Sequence, residues 1–99
     1  MQQDQFEAAV SEIERTFRPQ VVRILHTLGN DSTGEPAVFF LILLSDETAS
    51  HRDRLWSVTN RISMEIEQRI EPLDQWGVLP YFSFRSQFEH MQMNEPAWA

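Results

Sequence analysis

The densest group of chemically capable side chains lies in Asp31-Ser-Thr-Gly-Glu-Pro36. Asp31, Thr33 and Glu35, with Ser32 beside them, are hard oxygen donors. Donors of that type hold a divalent cation or orient a hydroxylated substrate. The same residue types are what a tight loop needs for side-chain capping and positive φ. The stretch also lacks the Asp-x-Asp-x-Asp rhythm of a calcium loop. Its plainer reading is a structural turn, with Asp31, Thr33 and Glu35 kept as a candidate loop site.

Arg85, with Tyr81 on the same side of an alternating segment, is a candidate anion contact, because a guanidinium grips oxyanions in two-pronged fashion. An ion pair to a neighbouring strand is the simpler expectation for it. His26, His51 and His90 fall in three different elements, and His51 and Asp53 diverge on a helix, so no metal site is expected. Asp46-Glu47 is explained by the favourable positive end of the helix that follows. There is no phosphate-binding glycine loop, no nucleophile elbow, no zinc-protease motif and no cysteine. The sequence therefore offers no catalytic residue, no metal ligand set and no cofactor.

Large apolar residues outside the core pattern are a further signal. On the second helix Met64 lies opposite the apolar stripe and Trp56 on its flank. Met91, Met93 and Trp98 stand in an otherwise polar tail. Tryptophan and methionine are enriched in protein interfaces, so these five are the candidate interface residues.

Elements must position these groups. Asp4 and Glu7 have capping-box spacing, and Phe6, Val10, Ile13 and Phe17 share one stripe, which predicts a helix over 4–17 ended by Pro19. Residues 20–28 read as a strand, 29–36 as a turn cluster, and the eight apolar residues 37–44 as a strand buried on both faces. Ser50 and Asp53 predict the start of a long helix whose stripe is Leu55, Val58, Ile62, Ile66, Ile70 and Leu73, closed by Pro72 and Gly77. Residues 79–88 alternate, with Phe82, Phe84 and Phe88 to one side, and read as a third strand. The tail 89–99 is expected to fray.

The order α-β-β-α-β predicts an α+β two-layer sandwich: a small mixed three-stranded sheet, made of a hairpin and a crossover, with two helices. Residues 1–99 form one domain, with an ordered core of about 4–88. With both helices on one face, either Val38, Phe40, Ile42 and Leu44 or Phe39, Leu41 and Leu43 are expected to stay open on the other. The tail, a second copy or another protein would then have to cover them.

Composition narrows the function classes. Fifteen acidic residues face eight basic ones, all arginine, for a net charge of −7. That balance disfavours nucleic-acid phosphates and anionic membranes, whose affinity depends on clustered cations. The amino-terminal residues lack the positive and apolar regions of a signal peptide, and no apolar run approaches a membrane span. A cytoplasmic location is the expectation.

The stretches Asp31-Ser-Thr-Gly-Glu-Pro-Ala-Val-Phe-Phe40 and Pro80-Tyr-Phe-Ser-Phe-Arg-Ser86 resemble a family of small bacterial αββαβ proteins with no assigned activity. The likeness covers most of residues 20–87. It implies a chain encoded beside a small helical protein of the HEPN type, as in two-gene toxin–antitoxin modules. Nucleotidyltransferases of such modules carry Gly-Ser followed by Asp-x-Asp, which this chain lacks. The leading expectation is thus a non-catalytic interaction module, the acidic partner in such a pair or a homodimer. The alternative is a small metal-dependent or nucleotide-handling enzyme, with Asp31 and Glu35 as cation ligands, Arg85 as anion clamp, and Tyr81 or His26 as proton donor.

Overall fold

A computed structural model of the chain describes residues 3–93. It is an α+β protein in which a mixed three-stranded sheet packs its two longest helices against one face. The elements are α1 (Gln3–Thr16), β1 (Val21–Asn30), β2 (Pro36–Leu44), α2 (Asp46–Ser50), α3 (Arg52–Ile70), α4 (Pro72–Trp76), β3 (Leu79–Ser86) and α5 (Gln87–Met93). β2 is central, antiparallel to β1 and parallel to β3. The hairpin and the crossover expected from the element order are both present.

Phe6, Val10, Ile13 and Phe17 are buried, as their spacing requires, and so are Ile62, Ile66 and Ile70 of α3. They meet Val21, Ile24, Val38, Phe40, Ile42 and Leu44 of the sheet in one continuous core. Phe40 stacks between Phe6 and Phe82, at 6.0 and 5.5 Å between ring centroids. Glu14 of α1 ties that helix to the edge strand by accepting the Ile24 N–H at 2.8 Å.

Several expectations need correction. The second helix does not run from the Ser50–Asp53 signal to Leu73. Ser45 caps a separate short helix by accepting the Thr48 N–H at 3.1 Å, and Ser50 donates instead to the Glu47 carbonyl. At the other end Glu71 adopts φ 50°, ψ 60°, a left-handed conformation. The residue before a proline is disfavoured in the right-handed helical region, so α3 stops there and Pro72 opens α4. Leu73 consequently leaves the stripe and is exposed. The hairpin is tighter than expected, since the ladder runs to Asn30↔Pro36 and leaves a five-residue loop, Asp31–Glu35.

The third strand ends at Ser86, two residues early. Ser86 accepts the Glu89 N–H at 3.0 Å while Glu89 accepts the Ser86 N–H at 3.1 Å, a reciprocal capping box that starts a helix where a fraying tail was expected. Phe88 therefore lies on α5, exposed, and not on the apolar side of a strand. Finally, Leu41 is fully buried and Leu43 nearly so, while Phe39 is half-buried and stacks on Tyr81. The flanking strands place Leu25 and Ser83 beside Leu41, and Arg23 and Arg85 beside Leu43. The outer face of β2 is not the open apolar patch that its sequence suggests.

Candidate functional site

The hairpin loop folds around one carboxylate. Asp31 Oδ1 accepts the Thr33 N–H at 2.9 Å, the Thr33 hydroxyl at 2.7 Å and the Glu35 N–H at 3.0 Å. Its Oδ2 accepts the Tyr81 hydroxyl at 2.8 Å, across the sheet. The Thr33 and Tyr81 hydroxyls, in that order, hold the Asp31 carboxyl down at about 2. The same bond raises the Tyr81 phenol above its ordinary 10.0, since an ionised phenol could not donate it. A carboxylate so engaged is a weak base with little capacity left for a cation. Gly34 supplies the turn with φ 87°, which a residue with a Cβ adopts only under strain.

The structure joins Asp31 to Tyr81 but separates both from Arg85. Tyr81 pairs with Phe39 and Arg85 with Leu43, four residues farther along the same two strands. That spacing is about 13 Å. His26 lies on the opposite face from Tyr81, in register with Phe40 and 4.8 Å from the Phe6 ring. Burial lowers its pKa, against a smaller upward pull from Glu7. The two residues proposed as proton donors thus point to opposite sides of the sheet. Among the described residues no group of three or more His, Asp and Glu side chains is placed to hold a metal ion.

A second region gathers around α5. The Ser86–Glu89 capping box fixes its first turn, and the Ser86 N–H lowers the Glu89 pKa. The Phe88 N–H donates to Asp46 Oδ1 at 3.0 Å, which joins α5 to α2. Anchored in this way, Phe88 and Met91 stand three residues apart on one side of α5, at 61% and 73% exposure. Arg52, Leu55 and Thr59 of α3 face Phe84, Arg85, Ser86 and Glu89 across a cleft of about 370 Å³. Trp56, one helical turn from Arg52 on α3, is 76% exposed. Met64 is exposed on the side of α3 opposite its buried stripe, its sulfur 3.6 Å from the Asn60 amide nitrogen.

Of the five candidate interface residues, Trp56, Met64 and Met91 are exposed. Met93 is the last residue of α5, and Trp98 lies outside the described residues. Phe88 was missed as an interface candidate because the alternation from Leu79 carried it into the strand. The signal that would have found it is Ser86-x-x-Glu89, a capping box written in the sequence. Among the described residues no helix is long and apolar enough to cross a membrane. Compared with protein-family models, curated proteins and solved structures, the chain matches none of them.

Proposed function

We propose that the protein is a non-catalytic interaction module whose binding surface is formed by α3 and α5. The observation that carries this reading is the exposure of Trp56, Phe88 and Met91 on α3 and α5, the two helices that also contribute Leu55 and Glu89 to one cleft. Aromatic and methionine side chains at such a site give an interface its buried anchors. The capping box and the Asp46 bond hold α5 in place before any partner arrives, which lowers the ordering cost of association. With a net charge of −7, a partner of opposite charge would be steered toward the protein. The partner proposed is therefore a basic cytosolic protein, in line with the two-gene module that the family resemblance implies. A homodimer through the outer sheet face has less support, because Leu41 and Leu43 are already buried.

The enzyme alternative has less support still. Its principal ligand, Asp31, has both carboxylate oxygens occupied by hydrogen bonds within the protein.

The test is a pull-down from native lysate with light scattering on the eluate, comparing the wild type with Trp56→Ser/Met91→Ser. Wild type should retain one partner in stoichiometric amount, and the double variant should lose it with its circular dichroism unchanged. A wild-type chain that elutes alone, as a monomer, would overturn the reading.

A further inference from the structure

A different cleft, of about 510 Å³, lies beside α2 and is lined by Arg18, Gln20, Thr48, His51 and Arg54, with Glu47 on its wall and Pro19 and Val58 as apolar surface. Its size falls in the range of small-ligand sites. Its charge runs against that of the whole protein. Two arginines and one glutamate line it, in a chain where acids outnumber bases by fifteen to eight.

The local bonding leaves several donors of these lining residues lightly used. Ser45 Oγ both accepts the Thr48 N–H and donates to Thr48 Oγ1 at 2.8 Å, so the Thr48 hydroxyl keeps its own hydrogen to give elsewhere. His51 joins α2 to α3 without its ring capping either helix. Among the described residues the one ion pair of Arg54 is a 3.9 Å approach of Nε to the exposed Asp53, a geometry that holds the guanidinium weakly. Among the described residues Arg18 has no carboxylate within 4 Å, so both forks are available to a ligand.

We infer that this cleft binds a small, doubly charged oxyanion, gripped by Arg18 and Arg54 with the Thr48 hydroxyl as a third donor. Guanidinium forks match phosphate and carboxylate oxygens two at a time. Glu47 sets the selectivity by repelling the anionic group from its side, where a hydroxyl or amine of the ligand would be accepted instead. This site is independent of the α3–α5 surface and stands or falls separately.

The experiment is an amide-resolved NMR titration of the full chain at constant ionic strength. Inorganic phosphate, adenosine monophosphate and succinate are the three probes, and they separate free phosphate, a phosphate ester and a dicarboxylate as the source of the oxyanion. At least one probe should give saturable shifts confined to residues 18–20 and 45–58. Arg18→Gln and Arg54→Gln should each weaken that binding about tenfold or more, the worth of a hydrogen bond to a charged group. Arg69→Gln, which breaks a 2.6 Å pair with Glu65 outside the cleft, should leave the affinity unchanged. Glu47→Gln should tighten binding several-fold, an opposite-sign effect that a general loss of structure cannot produce. Shifts that fail to saturate with all three probes, or that persist undiminished in Arg18→Gln, overturn the inference.

Discussion

The hairpin tip and the α3–α5 surface differ in what their side chains already do. At the tip, Asp31 accepts four hydrogen bonds from within the chain, so residue types that look like a ligand set work as a staple. On α3 and α5 the large apolar groups of Trp56, Phe88 and Met91 remain mostly in water, and the hydrogen bonds beside them serve to hold the helices in position. A polar cluster that satisfies itself contributes to folding. A group held in place yet left unsatisfied has its favourable interaction still to make, and binding draws on groups of that kind.

Helix α3 carries both kinds of group, which makes it the strongest test of this division. Ile62 is fully buried at the centre of the core stripe, and Met64, two residues on, is 47% exposed. Ile62→Ala should cost about 2–5 kcal/mol through lost burial and a residual cavity. That is a large part of the stability of a domain this size. Met64→Ala should change stability by no more than about 0.5 kcal/mol. Chemical denaturation of the isolated protein measures both, and comparable losses would show that the outer side of α3 at Met64 is structural after all.

The second test asks whether Asp31 is a staple. Its carboxyl lies at about 2 in the fold against an ordinary 3.8, so the folded state holds the charged form. The stability it contributes is complete above pH 4 and is lost as pH falls through 3.8 toward 2. Asp31→Asn should therefore lower the melting temperature at pH 7, and the gap from wild type should close as the pH approaches 2. Glu35→Gln should leave the melting temperature nearly unchanged, because the bond at that position is made by its main-chain N–H. A gap that stays constant with pH would mean that the charge on Asp31 has no part in holding the loop.

The sequence makes one side of this comparison far more legible than the other. Strong periodicity exposes the core: the stripe of α1, the Ile62-Ile66-Ile70 stripe of α3 and the apolar run of β2 all lie where their spacing puts them. Asp31 and Tyr81 are fifty residues apart, and only the parallel pairing of β2 with β3 brings them together, so no spacing rule links them. Short helices were harder still. α2 and α4 have five residues each, too few for a periodic signal, and they show only through Ser45 at a cap and Pro72 after a left-handed residue. The ligand-like appearance of Asp31-Ser-Thr-Gly-Glu35 was a property of composition. Its role depends on where the hydrogen bonds go.

The smallest effect, and the most specific, belongs to Tyr81. It is the single tyrosine of the chain, so its ionisation is read without ambiguity from tyrosinate absorbance. The neutral phenol donates to Asp31 Oδ2, whereas an ionised phenol would lose that bond and stand beside a like charge. Its folded pKa is consequently raised, first by the hydrogen bond and then by burial and the Asp31 charge. The sign of the linkage is opposite to that of Asp31. The contribution of Tyr81 is complete below pH 10 and is lost as pH rises through the elevated folded value. Titration of the folded wild type should give a midpoint above 10.0, and Asp31→Asn should lower it, because the amide still accepts a hydrogen bond but carries no charge. Tyr81→Phe should abolish the titration and leave the Thr33 and Glu35 bonds to Asp31 intact, so it should destabilise less than Asp31→Asn. An identical midpoint in wild type and Asp31→Asn would show that the two side chains do not meet in solution, and the hairpin tip would then have to be regarded as a cluster with an oxygen to spare.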